Sequence, residues 1–219
     1  MKLVVFDMDG TLLDGRTILF LGREFGFYKK ALEIIRSDTF QYIKSQKLAR
    51  LLKGIHIDDF MSVVKKIPLT DGAEETILHL KSQGLKTAIV TDSYDIVAEY
   101  FKEKLGMDKA VGTKLLIEED KVTGRIVMPL NCPAKVECNY PSICKSKVMQ
   151  DIRKEFGIPN SETVAVGDNR IDICMVKKAG LGIAFNPKVP ELENAADVVL
   201  KGKDLQEILR YIDSSRTVK

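Results

Sequence analysis

No stretch of this 219-residue chain approaches the apolar length that a membrane helix needs. Its first apolar run is too short for the hydrophobic region of a secretory leader and is followed at once by acids. A dominant charge is missing as well. The 34 lysines and arginines stand against 31 aspartates and glutamates, and a formal charge of +3 makes no case for a nucleic acid or a membrane surface as partner. Cysteine is scarce: Cys132, Cys138, Cys144 and Cys174 form neither a secreted disulfide framework nor a standard CxxC zinc pattern. These absences leave a cytoplasmic globular chain, long enough for one large domain or for a domain with a small insert, with a salt-bridged surface suggested by its 30 % of charged residues.

What is present is concentrated first in residues 2–11, KLVVFDMDGT. The apolar run Leu3, Val4, Val5 and Phe6 has the continuous hydrophobicity of a parallel strand buried on both faces, and it ends in Asp7, Asp9, Gly10 and Thr11. Carboxylates set against a buried strand are unfavourable unless a cation compensates them, so a metal or an incoming charged group is implied.

Apolar residues then recur at three- and four-residue steps over 17–25, 31–52 and 57–65, which predicts a small helical unit ending near residues 68–72. Inserted directly after the carboxylate turn, such a unit is well placed to act as a lid. Beyond it the pattern alternates. Helices are expected over 71–83, 94–104, 146–156, 172–179 and 205–212, and strands over 85–91, 110–113, 163–168, 182–185 and 198–200. A β-hairpin is expected over 114–130 and a loop over 131–144. Strands alternating with helices give an α/β fold with a doubly wound parallel sheet and right-handed crossovers. Ligands bind such sheets at the carboxyl ends of the strands, and three strands here end in Asp7, Thr91 and Asp168, which predicts one shared site.

Taken in this order, DMDGT, VTDS, a lysine opening a helix, and VGDNRID resemble the four motifs of the haloacid dehalogenase superfamily. The position of the insert is similar to that superfamily's helical C1 caps, and PLTDGAEET with LLKG resembles its phosphoserine phosphatase branch. The resemblance implies a Rossmann-like core formed by residues 1–13 and 71–219, a helical cap formed by 14–70, and a β-hairpin flap. It further implies that Asp7 is a nucleophile forming an aspartyl phosphate, and that Asp9 protonates the leaving alkoxide and then activates water. Gly10, Thr11, Thr91, Asp92 and Lys145 would surround the phosphate, Lys145 as a point charge. Lys147 is the rival for that role, although two residues along a helix it faces another way. Mg²⁺ would be held by the Asp7 carboxylate, the Asp9 backbone carbonyl and Asp168, with Asp172 orienting the metal site from one turn into the helix.

An acid two residues after the nucleophile separates phosphatases and phosphomutases of this superfamily from dehalogenases and ion pumps, so a phosphomonoesterase acting on a small molecule is expected, as a monomer or homodimer. Specificity falls to Arg16 and Asp92. Phosphoserine phosphatases place an acid where this chain has Arg16, an arginine where it has Leu48, and a glycine where it has Asp92. Asp92 and the segment CPAKVECNYPSICK instead resemble a neighbouring branch that includes phosphoethanolamine and phosphocholine phosphatases. Asp92 could bind a cationic head group or pair with Arg16. Cys132, Cys138 and Cys144 could hold zinc with His56 or His79, form a disulfide, or stay free thiols. A phosphomutase and a binding protein without turnover are the alternatives in other classes.

Overall fold

The computed structural model describes residues 1–127 and 143–217. Seven strands form one sheet: β1 (Leu3–Phe6), β2 (Lys86–Tyr94), β3 (Lys109–Glu118), β4 (Lys121–Val127), β5 (Thr163–Gly167), β6 (Leu181–Phe185) and β7 (Val198–Leu200), in the order β4-β3-β2-β1-β5-β6-β7. All neighbours are parallel except β3 and β4, which make the expected hairpin. β1 lies between β2 and β5, with Phe6 opposite Ile89 on one side and Val166 on the other. Side chains alternate across the sheet. Val4, Phe6, Ile89, Val166 and Phe185 belong to one buried cluster, while Leu3, Val5, Ala88, Val90 and Ala165 belong to the other.

Each face is covered by helices. The first cluster receives Ile77 and Leu80 from α5 (Ala73–Ser82), Val97 and Phe101 from α6 (Asp95–Leu105), and Ile212 from α10 (Leu209–Thr217). The second receives Val148, Met149 and Ile152 from α7 (Lys145–Glu155), Met175 and Val176 from α8 (Ile173–Lys178), and Leu192 from α9 (Pro190–Glu193). Burial on both sides explains why β1 reads as an unbroken apolar run.

Between β1 and α5 lie α1 (Thr17–Glu24), α2 (Tyr28–Arg36), α3 (Gln41–Arg50) and α4 (Ile57–Val64). The chain leaves and re-enters the sheet through paired segments, with Asp14 N–H donating to Pro68 O at 3.0 Å and Thr70 N–H to Leu12 O at 2.9 Å. The helix expected over 31–52 is two helices. Ser37 is extended (φ −63°, ψ 150°), and its hydroxyl donates to the Ile34 carbonyl at 2.7 Å, closing α2 with a local bond that competes with helix continuation.

Three further differences bear on the site. β2 runs to Tyr94, three residues beyond the expected end at Thr91, with its pairing to β3 interrupted between Val90 and Tyr94. β3 is one strand of ten residues that pairs with β2 at its start and forms the hairpin at its end, its turn made at Glu119 and Asp120 with positive φ. The hairpin is joined to the segment before α4: Gly54 N–H donates to Val122 O at 2.8 Å, Val122 N–H to Ile55 O at 2.9 Å and Ile57 N–H to Asp120 O at 2.8 Å. Of the loop expected over 131–144, residues 131–142, with Cys132 and Cys138, lie outside the described residues.

Candidate active site

Asp7 continues the ladder of β1, its N–H donating to Val166 O at 2.9 Å, so its carboxylate is delivered at the carboxyl end of the central strand. It is buried there and receives the ammonium of Lys145. Lys145 is the first residue of α7 and is itself buried; it also donates to Asp172 Oδ1 at 2.6 Å. Lys147, by contrast, points to the surface and pairs with Asp151 on its own helix. Burial opposes the charge on Lys145, but Asp172 and Asp7 together outweigh it and hold the lysine above its ordinary pKa. Burial raises Asp7 well above the carboxylate range; Lys145 pulls it down, and Asp172 and Asp168 push it up again.

Asp168 follows β5, beside β1, and Asp172 reaches back to it across one helical turn. Asp172 Oδ2 accepts the N–H groups of Asp168 at 3.2 Å and Asn169 at 3.0 Å. Asp7, Asp168 and Asp172 form a group of buried acids, each offering an oxygen within 4.8 Å of the others. Burial, then Asp172, raises Asp168 to about 7, against the lowering effects of Lys145, Arg16 and Lys188. Gly10 packs onto this group with φ +93°, where a Cβ would collide with the Asp168 carboxylate. Three carboxylates against one ammonium leave an excess of negative charge carried by oxygen donors, which suits a hard divalent cation. Within the set Asp172 has both oxygens engaged by Lys145 and backbone N–H groups, which leaves Asp7 and Asp168 as the carboxylates open to a metal.

Asp9 stands at the rim. Thr17, the first residue of α1, donates its hydroxyl to Asp9 Oδ1 at 2.6 Å. Burial lifts Asp9 to about 6, moderated by the two hydrogen bonds from Thr17, with Asp92 raising it and Arg16 lowering it. Thr11 is buried, its hydroxyl 3.5 Å from Asp7 Oδ2; Thr91 is buried and accepts the Ser93 N–H at 3.1 Å.

A cavity of about 260 Å³ opens above these groups, reached by Asp7, Asp9, Asp168, Arg16 and Asp92. The structure thus brings all the expected site residues to one place: Thr11, Thr91, Lys145 and Asp172 lie buried beneath, and Gly10 lines an adjoining cavity that shares Asp9, Arg16 and Asp168. Asp92 is not paired with Arg16. It accepts a hydrogen bond from Gln41 of α3 at 3.1 Å, because α3 lies across the mouth of the site. Thr17 and Gln41 were missed by sequence reasoning. Thr17 carried only the weak signal of a helix start, and Gln41 carried none.

The zinc expectation falls partly on Cys132 and Cys138, outside the described residues. Cys144 is a free, half-buried thiol. His56 accepts the Asp58 N–H at 3.3 Å at the start of α4, and His79 lies 3.2 Å from Asp213.

Residues 4–177 match the sequence model of the haloacid dehalogenase-like hydrolases. A phosphoserine phosphatase of Methanocaldococcus jannaschii is 37 % identical over 218 residues, covering 96 % of this chain and 97 % of that protein. Two solved structures, one described as a phospho-aspartyl intermediate analogue of phosphoserine phosphatase and one as a substrate-bound phosphoserine phosphatase complex, superpose with TM-scores of 0.84 at 37 % identity, each covering 96 % of this chain and 98 % of the other.

Proposed function

Because the chain belongs to the haloacid dehalogenase-like hydrolase family, we propose that it is a Mg²⁺-dependent phosphatase that hydrolyses a small phosphomonoester through an aspartyl-phosphate intermediate on Asp7. The observation that carries this reading is the placement of Asp7, buried against Lys145 and open to a cavity that Asp9 and Asp168 share.

A carboxylate is a nucleophile toward phosphorus in its ionised form, and Lys145 lowers the Asp7 pKa against the burial and the neighbouring acids that raise it, a compensation that a bound cation would complete. As the bond between phosphorus and the ester oxygen breaks, Asp9 gives its proton to the leaving alkoxide; a pKa near 6 lets it be protonated in one half-reaction and ionised in the next. The ionised Asp9 then takes a proton from water, whose oxygen attacks the aspartyl phosphate and restores the Asp7 carboxylate as inorganic phosphate leaves. Thr17 keeps the Asp9 carboxylate turned toward the cavity through both steps. Thr91 and the backbone around Gly10 and Thr11 complete the surroundings of the phosphoryl oxygens. Asp7, Asp168 and the Asp9 backbone carbonyl would hold Mg²⁺, with Asp172 orienting the site, and the ion would supply the positive charge that lets a phosphate dianion approach two carboxylates.

Residues 14–70 act as a cap over this site, moving on the paired segments at 12–14 and 68–70. Among the described residues no helix is long and apolar enough to cross a membrane.

The test is release of inorganic phosphate from a panel of phosphomonoesters with Mg²⁺ or with EDTA. Release should require the metal and be abolished in Asp7→Asn, and the wild type should carry phosphate on Asp7 in a rapid-quench digest. Equal release by Asp7→Asn would remove the proposed nucleophile.

A further inference from the structure

Beyond the reaction centre, four charged side chains among the described residues line the cavity: Arg16, Lys44, Asp92 and Arg170. Three of them have partners. Lys44 Nζ donates to the Ile35 carbonyl at 3.0 Å, Arg170 pairs with Glu191 at 2.5 Å, and Asp92 accepts from Gln41 at 3.1 Å. Arg16 is different: among the described residues its half-buried guanidinium makes no side-chain hydrogen bond and no ion pair.

Its backbone is nevertheless fixed. Arg16 caps α1, its carbonyl accepting the Leu19 N–H at 2.9 Å, and the next residue, Thr17, is tied to Asp9 at 2.6 Å. The Arg16 backbone is therefore held at the exit of the reaction centre, and its side chain lines the same cavity as Asp9 and Asp168. A guanidinium presents five N–H donors in a planar fork that matches a carboxylate bidentately. The cavity wall beyond it is mixed, with Ile18, Ile35, Leu48 and Ile126 set among neutral polar groups such as Gln41 and Ser45. An ammonium group on the leaving group would meet the like charge of Arg16, and among the described lining residues the acid outside the reaction centre, Asp92, has one oxygen bound by Gln41.

We propose that Arg16 binds a carboxylate on the leaving group, so that the preferred substrates are phosphomonoesters of small hydroxy acids, and that an amino group adds nothing to recognition. This rests on the phosphatase reading above. It assigns to Arg16 a direct contact with substrate, distinct from its background effect on Asp9 and Asp168.

The experiment compares kcat/KM of the Mg²⁺-loaded enzyme for 3-phosphoglycerate, which has a carboxylate and a hydroxyl; phosphoserine, with a carboxylate and an ammonium; phosphoethanolamine, with an ammonium alone; and glycerol 3-phosphate, with neither. The variants are Arg16→Ala, Arg16→Lys and Arg16→Glu, with p-nitrophenyl phosphate as a generic ester. The wild type should rank 3-phosphoglycerate at or above phosphoserine and both above the other two. Arg16→Ala should lower the two carboxylates by roughly tenfold to a hundredfold, mainly in KM, while glycerol 3-phosphate changes by less than about threefold. Arg16→Lys should restore part of the loss, and Arg16→Glu should move phosphoethanolamine ahead of the carboxylates. An equal loss on all four esters in Arg16→Ala would reduce Arg16 to a support for Asp9 and Asp168 and overturn the proposal, as would a wild-type preference for phosphoserine over 3-phosphoglycerate or for phosphoethanolamine over both. If Asp7-dependent release occurs from p-nitrophenyl phosphate without any carboxylate preference, the proposal alone fails; if no ester gives Asp7-dependent release, the phosphatase reading fails and takes the proposal with it.

Discussion

Lys145 and Asp7, 138 residues apart in the chain, meet as a buried ion pair beneath the cavity, and the same ammonium holds Asp172 at 2.6 Å. One cation thus fixes the carboxylate at the end of β1 and the carboxylate that braces Asp168. An ion pair of this kind adds little stability relative to an apolar pair, yet breaking it strands the charges that remain.

Lys145→Met should accordingly destabilise the protein by about 3–5 kcal/mol, since Asp7 and Asp172 lose their shared partner. Chemical denaturation in EDTA would measure the loss, and added Mg²⁺ should recover part of it without recovering turnover. Stability unchanged in EDTA would show that the acids are compensated from elsewhere.

Asp168 gives the metal-free protein a pH dependence of definite sign. Its folded-state pKa, raised to about 7 by burial and Asp172, lies above that of an unfolded aspartate, so the folded state holds the proton more tightly. Stability is then full below about pH 4 with respect to this group and declines as pH rises toward 7. In EDTA, Asp168→Asn should flatten that decline and gain on the order of 2 kcal/mol at pH 8. Mg²⁺ should raise the melting temperature of the wild type at pH 8 and leave Asp168→Asn nearly unmoved. A steeper decline in the variant would contradict the assignment.

Asp9→Asn removes the proton donor and acceptor and should lower turnover of alkyl phosphates by about 10²–10⁴. p-Nitrophenyl phosphate, whose leaving group needs no proton, should still phosphorylate Asp7 in a burst and then stall, because water activation is lost. In the wild type, turnover should fall as pH drops below about 6, where burial has placed the Asp9 pKa. A single-phase time course in Asp9→Asn with both substrates equally impaired would argue against the double role.

The hairpin packs on α3 at Gly124, which has φ +76°; a Cβ there would lie 3.0 Å from Lys53 Cβ and 3.3 Å from Arg50 Cα. Gly124→Val should destabilise by about 1–3 kcal/mol through strain and overpacking. Because α3 also carries Gln41 and Leu48 on the cavity wall, KM should rise more than kcat falls. Denaturation combined with steady-state kinetics would test both effects, and an unaltered KM would uncouple the hairpin from the cavity.

The sequence determined a good deal by itself. The apolar run of Leu3 to Phe6, closed by two acids, has few physical solutions other than a strand buried on both faces with its carboxylates at the carboxyl end. The same pattern before Thr91 and Asp168 put three such ends side by side. Alternation of strands and helices then pointed to the parallel sheet and to a site at the carboxyl ends of its central strands. Lys145 over Lys147 was also legible, because two residues along a helix rotate a side chain to another face and only one of them points inward.

Tertiary structure decided the rest, wherever an outcome turned on a distant partner. Asp92 chose Gln41, 51 residues away, over Arg16, because α3 crosses the mouth of the site and presents an amide there. The apolar steps through 31–52 did not register the break at Ser37, where a hydroxyl competes for a backbone carbonyl, nor did turn residues announce that β3 would run on into the hairpin. Local pattern fixes which side chains are buried and in what kind of element, since burial follows periodicity. Pairing among polar groups depends on which elements the core brings together, and only the packed molecule decides that.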